Sequence, residues 1–188
     1  MNEKLARMLS GVIYVAIMWF GTSYSETSFS LLFAAILLVC LYEMYKLRKG
    51  QTKILSFLYV LSPLLLIHLI PTNLVLLMLI LTWTFDTFAY IVGVRFGKHK
   101  IIPTVSPNKS WEGFAGGFIF TVIAAYLTVN YFSKIELNHI IAISLLTPFT
   151  ATIGDFIESY YKRKAEVKDS GNLIPGHGGM LDRMDAFM

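Results

Sequence analysis

The chain has one cysteine, Cys40, in 188 residues, so no disulfide framework is open to it. Charge is scarce too: 15% of the residues are Asp, Glu, Lys or Arg against 55% hydrophobic, with a mean hydropathy of +0.61. That balance leaves too little polar surface for a water-soluble globule of this size and indicates a multi-span membrane protein. Acidic residues are the rarer sign, 12 against 16 Lys and Arg, giving a net charge of +4. No nucleic-acid motif accompanies the excess, which reads as an insertion signal and a match to anionic headgroups. Internal repeats and low-complexity linkers are absent, so residues 1–188 read as a single integral domain. The first apolar run lacks a small-x-small cleavage site at Gly21-Thr22-Ser23-Tyr24-Ser25 and reads as a retained helix. Cys40, inside an apolar run, is expected to pack as a small hydrophobe.

What the sequence does have is long charge-free runs, over 8–25, 27–42, 54–85, 113–133 and 137–154. A spanning helix needs roughly 20 mostly apolar residues. Pro71-Thr72-Asn73 divides the longest run with a turn signal, and its second half continues through Asp86 to about Val94. The expectation is an all-α polytopic bundle of about six transmembrane helices. With the N-terminus cytoplasmic, 15 of the 16 Lys and Arg fall on the inner side: Lys4, Arg7, the Lys46 to Lys53 cluster, the Arg95 to Lys109 loop and the tail. Lys134 alone falls outside, and the positive-inside bias therefore predicts cytoplasmic N- and C-termini.

Three constellations face that inner side. Residues 158–188 hold five Lys or Arg and five Asp or Glu, whereas the preceding 157 residues hold 18 charges in all. Mixed sign argues against a polybasic lipid tether. Cations for phosphates, carboxylates for a metal and glycines for close backbone approach suggest phosphoryl or nucleotidyl chemistry. Asp182 and Asp185 stand three apart, on one face if helical, and with Asp155 could supply oxygen ligands for Mg²⁺; a solvated charge cluster is the equal alternative. His177, among Gly176, Gly178 and Gly179, is either a phosphate or base contact or a turn residue. In the loop before the fifth span, Lys109 precedes a helix N-terminus and could hold a phosphate, or it and Trp111 are interfacial anchors. Asp86, about two turns below the inner end of the fourth span, shares a stripe with Tyr90, Gly93 and Gly97. It is either hydrogen-bonded at a helix contact or functional.

Ser159, Lys162-Arg163, Lys168-Asp169, Gly171, Pro175, His177-Gly178-Gly179 and Asp182-Arg183-x-Asp185 together resemble the signature of the phosphatidate cytidylyltransferase family, the CDP-diacylglycerol synthases. The SPNKSWEG loop and the DTFAYIVGVRFGK helix end are similar to family segments as well, while the first three spans match only as generic membrane helices. Tyr161 departs mildly from the aliphatic residue or Phe usual there. Family members continue past Asp-Arg-x-Asp into a further membrane helix, so the resemblance makes a chain ending at Met188 look truncated.

The resemblance implies transfer of CMP from CTP to phosphatidic acid, giving CDP-diacylglycerol and pyrophosphate in phospholipid biosynthesis at the inner membrane, with the site facing the cytoplasm. By carry-over, Asp155, Asp182 and Asp185 would hold Mg²⁺, with or without a second cation. Lys168, Arg163 and Arg183 would neutralise phosphates, and Ser106 and Lys109 would complete the headgroup or triphosphate site. Asp169 and His177-Gly178-Gly179 would shape the nucleotide pocket. Asp86 would lie near the lipid phosphate or at a helix contact, and Lys168, Asp169, Asp182 and Asp185 form the expected catalytic set. The implied partners are CTP, phosphatidic acid, membrane lipids and a second copy in a homodimer, without nucleic acid. Rival readings are a CTP-dependent polyprenol kinase, a transporter or proton relay using Asp86 and Asp155, and an inactive membrane scaffold.

Overall fold

The structure is a computed structural model that describes residues 3–48 and 53–188. Its elements are α1 Glu3–Ser23, α2 Glu26–Leu47, α3 Lys53–Leu66, α4 Thr72–Phe96, α5 Trp111–Thr128, α6 Leu137–Lys164 and a four-residue α7, Leu181–Met184. Among the described residues no strand forms; isolated bridges join Lys100 to Ser110 and Ile174 to Gly178. The all-α polytopic bundle expected from composition is the fold observed. Among the described residues five helices are long and apolar enough to cross a membrane, and the protein is an integral membrane protein. Of the inner-side cations named above, Lys49 and the side chains of Lys4 and Lys53 lie outside the described residues.

Two elements differ in length from their apolar runs. Helix α3 has 14 residues, carries Pro63 inside it and closes in the 3-10 turn Ile67–Leu69. At 1.5 Å per residue α3 reaches roughly 21 Å, and about 27 Å with the 3-10 turn at ~2 Å per residue, short of the ~30 Å hydrocarbon core. Helix α6 runs unbroken for 28 residues, ten past the end of the charge-free run at Gly154, so Asp155, Glu158, Lys162 and Arg163 are helical rather than part of a loop. Helix propensity does not stop where hydrophobicity does, because Glu, Lys and Arg are good helix formers. The cations Lys162, Arg163 and Lys164 also suit the negative end of the helix dipole.

The chain divides into two compact units, residues 1–76 with 160–186 and 188, and residues 77–159 with 187. In the first, Ser25 caps α2 through a reciprocal pair of hydrogen bonds with Ser28. Helix α2 then buries Phe29, Phe33, Ile36, Cys40, Met44 and Leu47 at three- and four-residue spacing, one continuous stripe. It packs against α1, α3 and α7. Cys40 is fully buried among these apolar residues.

In the second unit, glycines let α4 and α5 approach closely. A Cβ on Gly113 would stand 2.7 Å from the Ala89 carbonyl oxygen and 3.1 Å from Gly93 Cα, and one on Gly117 would stand 2.7 Å from the Phe85 ring. Phe114 sits among Phe85, Trp111, Phe118 and Phe149, with ring centroids 5.3 to 6.3 Å away. Phe88 and Phe120 stack at 3.8 Å. The expected stripe on α4 splits: Gly93 meets α5, whereas Asp86 and Tyr90 are exposed.

Candidate functional site

The tail's geometry begins with Lys162 on the last turn of α6. Its Nζ donates to Asp182 Oδ1 at 2.7 Å, and the two side chains are 11% and 6% exposed. The other carboxylate oxygen of Asp182 accepts from Ser170 N at 2.8 Å, Ser170 Oγ at 2.9 Å and Gly179 N at 2.7 Å. A buried carboxylate is tolerated when cation and backbone donors replace its hydration in this way. The consequence is a folded loop, because Asp182 ties Ser170 at one end to Gly179 at the other. Between them Ile174 N donates to Gly178 O at 2.9 Å and His177 N to Ile174 O at 2.9 Å. Gly176 and Gly178 take φ of 74° and 84°, a region costly for residues with a Cβ.

This loop encloses a cavity of about 520 Å³ lined by Arg7, Lys168, Asp169, Asn172, Ile174, Pro175, Gly176, His177, Gly178 and Arg183. Three cations against one carboxylate make it suited to an anion, and its size falls in the usual range for small-molecule sites. Five of the residues expected from the sequence, Lys168, Asp169, His177, Gly178 and Arg183, come together here. Gly179 and Asp182 stand behind them as its framework, both buried. Arg163 is exposed, and its guanidinium donates to Val167 O at 3.3 Å, at the C-terminal end of α6.

Arg7 was read from the sequence as a topology signal and is a site residue as well. From α1 its Nε donates to Gly176 O at 2.7 Å. One turn on, Ser10 Oγ lies 2.8 Å from Pro175 O and 3.0 Å from His177 Nδ1. Burial first, then the positive charges of Arg183 and Arg7, hold His177 below the ordinary imidazole range. Glu43 was also missed. Set near the end of α2 and 5% exposed, it accepts from Met180 N at 3.1 Å, Leu181 N at 2.8 Å and Ser170 Oγ at 3.0 Å. The available signals were an acid inside an apolar run and an arginine at a helix start, both of which also occur without a site.

In the second unit Lys109 Nζ forms an ion pair with Asp155 Oδ2 and stands 5.4 Å from the centre of the Phe156 ring. Ser159 Oγ donates to Asp155 Oδ1 at 3.1 Å. The N-terminus of α5, where a phosphate was one expectation, is capped by Ser110 Oγ, which accepts from Gly113 N at 3.2 Å. Ser106 belongs to the turn before it, with its N–H on Ile102 O at 3.0 Å and its carbonyl accepting from Lys109 N. Glu112 accepts from the Lys98 and His99 amides and the His99 ring, tying that loop down.

The three expected metal ligands each have protein partners. Asp155 meets Lys109 and Ser159, Asp182 meets Lys162, Ser170 and Gly179, and Asp185 Oδ1 accepts from Ala186 N at 2.8 Å. Among the described residues no group of three or more His, Cys, Asp or Glu side chains is gathered to hold a metal ion. Asp182 is buried on α7, and Asp185 is half-buried at the start of the 3-10 turn that follows it directly.

Apolar helices and a tail folded around a cation-lined cavity define a helical integral membrane protein equipped for an anionic ligand. Residues 72–188 match the family model described as the Cytidylyltransferase family, and the chain belongs to that family. Relatives named phosphatidate cytidylyltransferase include one from Thermotoga maritima, 44% identical over 119 residues, and one from Staphylococcus aureus, 43% identical over 111. A third, from Haemophilus influenzae, is 42% identical over 119 residues. These matches cover 60%, 58% and 61% of this chain but 44%, 42% and 41% of the relatives, less than half of each. Arg7, Ser10 and Glu43 precede the residues matched to the family.

Proposed function

We propose that the chain catalyses transfer of CMP from CTP to phosphatidic acid, giving CDP-diacylglycerol and pyrophosphate. The observation that carries the reading is the cavity in which Arg7, Lys168 and Arg183 meet His177. Family membership and the names of the relatives supply the substrates. An oxygen of the lipid phosphate attacks the α-phosphorus of CTP, the bond from that phosphorus to the bridging oxygen of the β-phosphate breaks, and pyrophosphate leaves with the electron pair. The nucleophile is already anionic near neutral pH, so the protein's task is alignment and charge neutralisation.

The residues divide that task. Lys168 and Arg183 neutralise phosphates, Arg7 adds a third cation while holding the Gly176 carbonyl, and the neutral His177 lies beside them as a hydrogen-bond partner. Asp182 and Gly179 hold the loop that presents these groups. Lys109, Asp155, Ser106, Arg163 and Asp86 keep their expected substrate and cation roles as proposals. Mg²⁺, which prefers oxygen donors and is commonly held in part by substrate phosphates, is proposed to accompany the triphosphate, and no step here runs through it. The site faces the cytoplasm, with both termini on that side of the inner membrane; a homodimer is proposed from the resemblance alone.

The test is pyrophosphate release from CTP by the chain in vesicles, with and without phosphatidic acid. Release that requires the lipid and falls at least tenfold in Lys168→Met supports the reading; lipid-independent release, or an unaffected variant, contradicts it. Arg7→Met removes one charge-assisted contact and is expected to weaken CTP binding by about 1.5–3 kcal/mol, read as a KM increase.

A further inference from the structure

We propose that Glu43 is a positioning residue of this site, an anionic latch on α2 that fixes both ends of the cavity-lining loop from outside the family-matched segment. As a role in turnover, the inference rests on the function proposed above. A carboxylate is badly placed at this point by every local criterion. It lies in an apolar helix, is 5% exposed and stands near the helix's negative dipole end. Something else must compensate, and the geometry supplies it. Oε1 accepts from Met180 N at 3.1 Å, and Oε2 accepts from Leu181 N at 2.8 Å and Ser170 Oγ at 3.0 Å. Ser170 opens the loop and Met180-Leu181 closes it, so one carboxylate sets the distance between its ends.

The glycines on either side report the same fit. A Cβ on Gly171 would stand 2.6 Å from Glu43 Oε1, and one on Gly179 would collide with the carboxylate. The backbone is therefore seated directly on Glu43, and a small residue is required where it touches. Ser170 also connects the latch to the framework, since its single hydroxyl proton lies between Glu43 Oε2 and Asp182 Oδ2, at 3.0 and 2.9 Å. Loss of the Glu43 acceptor is thereby felt at the residues that hold Gly178 and Gly179 in place.

Glu43→Gln preserves volume but removes one acceptor: in either amide orientation an NH₂ group faces the N–H of Met180 or of Leu181. Hydrogen exchange of the chain in nanodiscs, with peptides spanning 168–184, reads the latch without needing activity. Exchange in those peptides should quicken about tenfold or more in Glu43→Gln while the α1 and α3 peptides stay unchanged. Unchanged exchange at 168–184 overturns the latch. In the pyrophosphate-release assay the variant should lose about tenfold in kcat with little change in KM for CTP, because a misplaced loop costs alignment more than charge. A variant with open exchange but unaltered kcat overturns the positioning role.

Compensation separates this from a general loss of stability. Gly171→Ala crowds Glu43, and Glu43→Asp draws the carboxylate back by one methylene. The double variant should therefore recover protection and kcat relative to Gly171→Ala alone, and additive losses overturn the proposed contact. A wild-type chain that shows Glu43-dependent protection but makes no nucleotide-linked lipid overturns the proposed function and leaves the latch itself standing.

Discussion

Asp182 and His177 show how far single residues are governed by what surrounds them. Lys162→Met leaves the Asp182 carboxylate buried without its cation, and breaking such a pair typically costs about 3–5 kcal/mol. Because Ser170 and Gly179 still donate to it, the lower end is expected, measured as a fall in the denaturation midpoint in detergent. Adding Asp182→Asn to Lys162→Met should restore part of that loss, since the orphaned charge is then gone. His177 makes a pH prediction. Its folded pKa lies below the ordinary 6.5, so under acid conditions the unfolded chain binds a proton that the folded chain resists. Its contribution to stability is complete above pH 6.5 and is lost as pH falls through that value towards the folded pKa. Thermal midpoints of the wild type should therefore drop more steeply below pH 6.5 than those of His177→Gln, and equal slopes would contradict the assignment.

At the scale of elements, the helices were legible because apolar length and turn signals are local properties. The run broken at Pro71-Thr72-Asn73 gives a helix beginning at Thr72, and the cationic end of α6 is helical for reasons of propensity. The tail's folding was legible in part: its cations, carboxylates, histidine and glycines suggest a ligand site, and five of the residues expected there surround one cavity. Their pairing was not legible. Lys162 with Asp182 and Lys109 with Asp155 are opposite charges that could each have joined other partners, and only the path of the chain selects them. Arg7 and Glu43 were hidden for a related reason, since they meet the tail across 169 and 138 residues and no sequence period spans that distance. The α4–α5 contact supplies an independent test. Gly113→Ala places a methyl against the Ala89 carbonyl and Gly93, and overpacking of this kind costs typically 1–3 kcal/mol, about the loss expected in thermal stability.

For the whole molecule, the five membrane-length helices among the described residues make it an integral membrane protein, and the positive-inside bias of its Lys and Arg is the ground for proposing that the polar tail faces the cytoplasm. The proposed substrates rest on family membership, while the cavity's charge and the loop that forms it follow from this chain's own residues. The central claim is that the lipid retains the α-phosphorus of CTP. The most direct measurement is therefore incorporation of CTP labelled at the α-phosphorus, and separately at the γ-phosphorus, into chloroform-soluble lipid by membranes containing the chain, phosphatidic acid and Mg²⁺. The account predicts that α-label enters the lipid while γ-label leaves as pyrophosphate, with both events lost in Asp182→Asn. Entry of γ-label with release of CDP, or no lipid label of either kind, would contradict it.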